Sequence, residues 1–336
     1  MSNISAPLFP VADLHCDLLA YLALVPGASL YSTDDIGATL PWLKKGNVQL
    51  QVTAIFTKTE QGSVSQAKKQ ALMFRQLTEG NDFCAVTGMQ ALSKLPFQDK
   101  TGILAAIENA SGLCEESEPL QLAFERLEEI IQTTGQILYI GLTHHTENRF
   151  GGGNFSENVG LKSDGEALLE YISGRKICLD LAHTSDALAF DVINYISQKQ
   201  LQIPVIASHS NFRAICPHVR NLPDELAQEV INGGGLIGIN FFREYVDIQN
   251  PKKLFEHITY GLDSGAAGQL CLGADYFYIH DIPDLSRHPL FFESMANAGT
   301  YQAILNQLSE ITESVPFTDN FASGNVRNFL QKLWSS

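Results

Sequence analysis

The segment Asp13-Leu-His15-Cys-Asp17 places an imidazole and a carboxylate two positions apart, at the end of a short apolar run. Residues two apart on a β-strand point to the same face, so His15 and Asp17 would project together. A ring nitrogen and a carboxylate oxygen on one face can bind one divalent metal ion. A lone His-x-Asp pair is a weak signal, but further candidate ligands follow later apolar runs.

Six of the eight predicted strands end in a histidine, aspartate or glutamate, and these residues are His15 with Asp17, Glu108, His144, His183, His209 and Asp275. Buried ionisable groups are costly unless they are paired or bind a metal, so the set predicts a metal centre. Imidazoles and carboxylates without thiolates suit zinc or a similar ion in a catalytic site. The set exceeds the needs of one catalytic zinc, which favours two ions that share a hydroxide and polarise a carbonyl.

Strand-like and helical segments alternate along the 336 residues, which predicts a parallel sheet and favours a single (β/α)8 barrel domain over residues 1–336. Catalytic residues of such barrels lie at the carboxyl ends of the strands. The predicted strands are Val11–Asp17, Val48–Phe56, Ile103–Glu108, Gln136–Leu142, Ile177–Leu181, Pro204–Ser208, Leu236–Asn240 and Leu270–Asp275.

Helical periodicity fills most of the gaps between these strands, over Ser65–Thr78, Pro119–Thr133, Gly165–Ser173, Ser185–Ser197, Asp224–Ile231, Ala303–Leu308 and Phe321–Leu333. A Gly-x-Gly-x-x-Gly motif does not follow the first strand, which argues against a dinucleotide-binding sheet. A Gly-x-Ser-x-Gly motif is also absent from the sequence, which argues against a serine hydrolase.

The composition is that of a globular protein, with 45% hydrophobic residues and a net charge of −15. The acidic balance argues against nucleic acid as a partner, because nucleic-acid binding needs a basic surface. No apolar run reaches the length of a membrane span. Residues 1–7 have neither a basic segment nor a long apolar segment, so we expect no signal peptide and a cytoplasmic protein. The six cysteines form no Cys-x-x-Cys pair, and we expect reduced, mostly buried thiols.

The chain resembles the membrane dipeptidase (renal dipeptidase-like) family of the amidohydrolase superfamily over nearly its whole length. The motifs that carry the resemblance are Asp13-Leu-His-Cys-Asp17, Ile107-Glu108, Leu142-Thr143-His144 with Asn148-Arg-Phe-Gly-Gly-Gly153, Asp180-Leu-Ala-His183-Thr-Ser185, Ser208-His209-Ser210, Arg220-Asn221 and Gly273-Ala-Asp275. The ordered set is far more specific than any one of its members.

The resemblance implies a role for each of these side chains and a dipeptide as the small-molecule substrate. His15 and Asp17 would bind one Zn²⁺, His183 and His209 a second, and Glu108 would bridge the two. His144 would contact the substrate carbonyl or the developing oxyanion, and Arg220 would hold the terminal carboxylate. Asp275 would pass a proton from the bridging water to the leaving amine. A homodimer is compatible with the resemblance, although the sequence reveals no interface.

The chain departs from the family pattern at three places near the predicted site. Phe277 stands where the family often has a second acid, Asn109-Ala110 stands in place of Gly-Gly, and His145 follows His144 where the family often has Asn. These changes leave the substrate range open. Hydrolysis of N-acyl amino acids, lactams or D-amino acid amides is an alternative, and so is a barrel that binds metal without turnover.

The remaining histidines favour structural or surface interpretations. Strand alternation would point His145 away from His144, and the polar surroundings of the other four predict surface positions: His218, His257, His280 and His288. His280 is the exception to watch, because the loop after the eighth strand can reach the site. Tyr139, Phe56 and Cys16 are predicted to be core residues.

Overall fold

The computed structural model describes residues 8–335, so residues 1–7, on which the signal-peptide expectation depends, lie outside the described residues. The described chain contains nine parallel strands: β1 (Val11–Cys16), β2 (Val48–Phe56), β3 (Phe83–Ala85), β4 (Thr101–Glu108), β5 (Ile137–Gly141), β6 (Cys178–Asp180), β7 (Val205–Ile206), β8 (Ile237–Ile239) and β9 (Leu270–Leu272). Eight of them pair in the order β7-β6-β5-β4-β2-β1-β9-β8.

A parallel bridge between Ala207 and Ile237 joins the two ends of this order. The backbone N–H of Ala207 donates to Leu236 O at 2.8 Å, and the N–H of Gly238 donates to Ala207 O at 2.8 Å. The eight strands therefore form a nearly closed barrel, which confirms the predicted (β/α)8 architecture.

Thirteen α-helices connect and cover the strands of residues 8–335: α1 (Leu18–Leu24), α2 (Leu40–Lys45), α3 (Ser63–Glu79), α4 (Met89–Leu92), α5 (Gln121–Thr134), α6 (Ser163–Ile172), α7 (Asp186–Lys199), α8 (Asp224–Asn232), α9 (Arg243–Val246), α10 (Lys253–Asp263), α11 (Tyr301–Thr312), α12 (Val315–Asp319) and α13 (Asn325–Ser335). All seven predicted helices are present within a few residues, except that a π-helical turn, Asn320–Gly324, forms the start of the last one.

The sequence prediction missed β3 and the helices α1, α2, α4, α9, α10 and α12. The strand β3 has three residues and pairs only with the first residues of β4, while β5 pairs with later residues of β4. An apolar run this short is indistinguishable from a loop by periodicity. The expectation of eight strands was therefore correct for the barrel and wrong for the sheet as a whole.

Two apolar clusters account for the core. The interior cluster fills the barrel with strand residues such as Leu14, Val52 and Leu104, and α13 adds Leu330 and Trp334 to it. The larger outer cluster lies between the strands and the surrounding helices. Strands buried on both sides explain the continuous apolar runs in the sequence.

Two glycines allow close backbone approach where the barrel closes. A Cβ at Gly238 would lie 1.9 Å from Ser208 O, and one at Gly273 would lie 2.1 Å from the same oxygen. Each contact is closer than a side chain tolerates, so β8 and β9 approach the segment after β7 only because both positions are glycine.

Two expectations concern bilayers and thiols. Within residues 8–335, no helix is both long and apolar enough to cross a bilayer. All six cysteines are free, and four of them are buried, which confirms the expectation of mostly buried thiols.

Candidate active site

The first two candidate ligands come from the end of β1. His15 is fully buried and is the last residue but one of the strand, while Asp17 lies beyond the strand at the start of α1. His15 Nε2 is 3.8 Å from Asp17 Oδ1. The two side chains converge as predicted, but Asp17 reaches its position by leaving the strand.

Glu108, the last residue of β4, lies at the centre of the site. Its Oε2 is 3.2 Å from His15 Nε2, and its Oε1 is 2.9 Å from His183 Nε2 and 3.8 Å from His209 Nε2. One carboxylate therefore faces histidines from three strand ends, with a different oxygen toward each side of the site. This is the arrangement that a bridging carboxylate requires.

His183 and His209 follow β6 and β7 and face each other, with 3.0 Å between their Nε2 atoms. His183 has a backbone φ of 66°, which L-residues rarely adopt. Two imidazole nitrogens this close need a shared proton or a common ligand between them. The pair could therefore hold one cation between its two rings.

The rings of His15 and His209 are each contacted by a buried hydroxyl group at Nδ1, the nitrogen that faces away from Glu108. His15 Nδ1 lies 2.7 Å from the Tyr139 hydroxyl, which also donates to Leu14 O. His209 Nδ1 lies 2.7 Å from Ser208 Oγ, and Ser208 in turn donates to Asp180. Such partners fix the ring tautomer and its orientation, as is usual for metal-binding histidines.

Asp275 follows β9 with a φ of 64° and is buried beside the same centre. Its Oδ1 is 3.7 Å from His15 Nε2, while Asn240 Nδ2 donates to its Oδ2 at 2.9 Å. Asn240 thus fixes one oxygen of Asp275 and leaves the other directed at the metal-ligand cluster.

Arg220 and His144 complete the predicted set on the side of His183. The Arg220 guanidinium is buried, with Nη2 at 3.2 Å from His183 Nε2 and at 3.3 Å from His209 O. The ring of Tyr245 lies 5.2 Å from that guanidinium. His144 is partly exposed, and its Nε2 is 3.9 Å from Glu108 Oε1. All eight predicted site residues therefore surround one small volume.

The pKa directions follow from burial and from the central carboxylate. Burial lowers the pKa of His183 and His209, and the cationic groups around each ring lower it further. For His15 burial opposes protonation, but the charges of Glu108, Asp17 and Asp275 prevail and raise its pKa to about 10. Burial raises the pKa of Asp275 to about 6. The cluster carries opposing charges at close range, which is typical of functional sites.

The donor set fits divalent metal ions on the evidence of its own unpaired atoms. His15 Nε2, Asp17 Oδ1 and Glu108 Oε2 are buried. His15 Nε2 and Glu108 Oε2 are 3.2 Å apart, but none of the three atoms makes a hydrogen bond of normal geometry among the described residues. Ligand atoms of His15, Asp17 and Glu108 lie within 4.8 Å of one another, and so do those of Glu108, His183 and His209. Buried polar atoms without partners are costly, and a cation between them would satisfy them.

Two expectations about histidines were wrong. His145 lies beyond β5, where strand alternation no longer applies, and its ring is 4.9 Å from that of His183. His257 is fully buried in α10, because its position belongs to the apolar face of that helix. His218 and His288 are partly buried, and His280 is exposed.

Sequence reasoning missed the supporting roles of Tyr139, Asn240 and Asp180. Tyr139 is a buried core residue as predicted, but its hydroxyl also contacts His15. Asn240 ends the predicted seventh strand at the same rim as the ligands, so its position could have indicated a role.

Comparison with known proteins identifies a family and a shared fold. The family model for membrane dipeptidase (peptidase family M19) matches residues 6–310. The structure of the dipeptidase AC, a metallopeptidase, superimposes with a TM-score of 0.81 at 18% identity, covering 98% of this chain and 100% of that one. A metallopeptidase from Rhodobacter sphaeroides, liganded with a phosphinate mimic of L-Ala-D-Ala, gives a TM-score of 0.81 at 17% identity, covering 98% and 100%.

A sequence relative gives the same indication over a shorter span. Dipeptidase aclJ of Aspergillus oryzae is 29% identical over 175 residues, which is 48% of this chain and 40% of that protein. The family match spans most of the chain and includes every residue of the site described above. The chain belongs to the membrane dipeptidase family.

Proposed function

We propose that this protein is a zinc-dependent dipeptidase that hydrolyses the peptide bond of dipeptides with a free terminal carboxylate. The observation that carries the proposal is the position of Glu108, whose two oxygens face His15 on one side and His183 with His209 on the other. His15 and Asp17 would hold one ion, His183 and His209 the second, and Glu108 would bridge them. Zinc, when bound, lowers the pKa of water to near neutrality and polarises a carbonyl group.

The residues around this centre supply binding and proton transfer. Arg220 is a buried guanidinium with donors directed at the site, and it would pair with the terminal carboxylate. His144 would contact the carbonyl oxygen that becomes negative during attack. Asp275 would accept the proton of the attacking water at Oδ1, because Asn240 already occupies Oδ2, and would pass it to the leaving amine nitrogen.

The first test is a panel of L,L- and L,D-dipeptides with the zinc-loaded protein, and Asp275→Asn as the matched variant. Asparagine keeps the size of the side chain and removes its ability to accept the proton. We expect turnover by the wild-type protein, loss of turnover of about a hundredfold or more in the variant, and the same zinc content in both. Normal turnover by Asp275→Asn would show that the assigned proton role is wrong.

A second candidate function is hydrolysis of a different amide, such as an N-acyl amino acid, a lactam or a D-amino acid amide. The aromatic Phe277 near the rim, which packs against Phe242 and Phe291, favours a reshaped pocket. No turnover of any dipeptide by the zinc-loaded protein would favour this alternative.

A further inference from the structure

Three imidazoles form a group of their own at the partly exposed side of the site. Ligand atoms of His144, His145 and His183 lie within 4.8 Å of one another. The ring centroid of His144 lies 4.0 Å from that of His145 and 4.2 Å from that of His183. No carboxylate belongs to this group, which distinguishes it from the two groups that contain Glu108.

His145 is held in the way that metal-binding histidines are held. Its Nδ1 lies 3.0 Å from Asn154 Oδ1, and Asn154 is buried with its own N–H donating to His183 O. Donation from Nδ1 to an amide oxygen leaves the lone pair on Nε2, as in the ligand arrangements around His15 and His209.

We propose that His144, His145 and His183 form a third, weaker divalent-cation site, at which excess zinc excludes the substrate. Three imidazoles are an established ligand set for zinc, and His183 would join this set as an imidazolate whose ring proton passes to solvent. His183 uses Nε2 toward Glu108, while its Nδ1 is buried without a hydrogen-bond partner among the described residues. An ion here would occupy His144, which the proposed function assigns to the substrate carbonyl, so the competition with substrate rests on that function.

Two features make this site weaker than the sites around Glu108. The group contains no carboxylate, so no negative side chain among its ligands offsets the charge of the ion. An imidazole that binds ions through both nitrogens must also lose its ring proton, which costs free energy at neutral pH. The third ion is therefore expected only above the zinc concentration that fills the other two.

The test is a calorimetric titration of the metal-free protein with Zn²⁺ alone, for the wild type, His145→Asn and the control His280→Asn. His280 is exposed and belongs to none of the described histidine and carboxylate groups. We expect the wild type and the control to bind one more equivalent than His145→Asn. A second variant, His145→Phe, keeps an aromatic ring against Phe155, which stacks on His145 at 4.6 Å, and should lose the same equivalent.

Initial rates give the second readout. At stoichiometric zinc we expect equal rates for the wild type and His145→Asn. Zinc at about ten times the Kd of the third site should lower the wild-type rate about tenfold, because most molecules then carry an ion at that site. The inhibition should be competitive with the dipeptide and absent from His145→Asn. Equal zinc equivalents in the wild type and both His145 variants would overturn the proposal. Failure to turn over any dipeptide would refute the proposed function. The number of zinc equivalents bound in the titration would still show whether the third site exists.

Discussion

At the scale of single residues, the site depends on side chains that never face its centre. Tyr139 and Ser208 each contact the outer nitrogen of a histidine, and Asn240 holds one oxygen of Asp275. A ring or carboxylate fixed in this way loses little conformational freedom when it binds an ion. These supporting contacts should therefore be measurable as metal affinity or as proton transfer.

The hydroxyl of Tyr139 offers the clearest test of this support. In Tyr139→Phe the buried ring remains and the contact to His15 Nδ1 is lost, so we expect zinc affinity to fall about tenfold to a hundredfold. Competition with a chromophoric chelator measures this affinity. Tyr276→Phe is the control, because it removes an equally buried hydroxyl that donates to Met295 O. Unchanged zinc affinity in Tyr139→Phe would contradict the assigned role of the hydroxyl.

Arg220 makes a prediction about substrate recognition. We expect Arg220→Lys to lower kcat/KM for a dipeptide about tenfold or more while affecting its C-terminal amide much less, because lysine lacks the planar fork that binds a carboxylate. The ratio of kcat/KM for the acid and the amide isolates this effect. Arg213→Lys serves as the control, since Arg213 pairs with Asp186. If the ratio is the same in wild type and Arg220→Lys, another group binds the carboxylate.

At the scale of elements, strand ends position the site, but strand geometry does not extend to every ligand. Pairing between β1 and β2 shifts register between Asp13 and Cys16. Leu14 consequently packs inside the barrel, while the adjacent His15 also reaches the site. Irregular pairing of this kind is common beside active sites, because it redirects a side chain.

The helix α10 has apolar residues at helical spacing, a pattern that is present in the sequence but was not used in the prediction. Leu254, His257, Ile258 and Gly261 are spaced as one helical face, and all four are buried. His257 Nδ1 accepts the N–H of Phe212, and its Nε2 donates to Val246 O. The ring therefore connects α10 to the loop after β7 and to the end of α9.

The burial of His257 predicts a dependence of stability on pH. Burial lowers the pKa of His257 from 6.5 to about 4, so below pH 6.5 the unfolded state binds a proton that the folded state excludes. The folded state therefore loses stability as pH falls from 6.5 to 4, by about 3 kcal/mol for a shift of this size. Urea unfolding of the chelated protein measures the change. The pH dependence should be smaller in His257→Asn than in His280→Asn, and equal dependence would contradict the assignment.

At the scale of the whole molecule, the barrel brings several buried carboxyl groups close together, and their repulsion lowers the stability of the metal-free protein. Asp17, Glu108 and Asp275 are buried at one end of the barrel. Burial and the neighbouring Glu108 raise the pKa of Asp17, which reports the repulsion between these carboxyl groups. Bound cations would remove this repulsion and favour the folded state.

Metal removal should therefore lower the unfolding temperature of the entire protein. We expect a chelator to destabilise the fold by about 3 kcal/mol or more relative to protein in zinc at a hundred times its Kd. Differential scanning calorimetry with and without chelator, followed by zinc addition, tests both the loss and its recovery. An unchanged unfolding temperature would show that these residues do not bind metal in the folded state.

Much of the architecture could be read from the chain, because strand order and strand-end residues are local properties. Eight apolar runs, most of them followed by a predicted helix, predict a barrel, and parallel strands bring their carboxyl ends to one rim. That reasoning was sufficient to place His15, Glu108, His183, His209 and Asp275 around one centre.

The direction of side chains beyond the strand ends depended on tertiary contacts that no local pattern contains. Strand periodicity ends with the strand, so the turn after β5 decides that His145 faces His183. Tyr139 contacts His15 across 124 positions of the chain, and Asn240 contacts Asp275 across 35. These pairs form only when the barrel closes, since closure alone brings the ends of distant strands within hydrogen-bond distance.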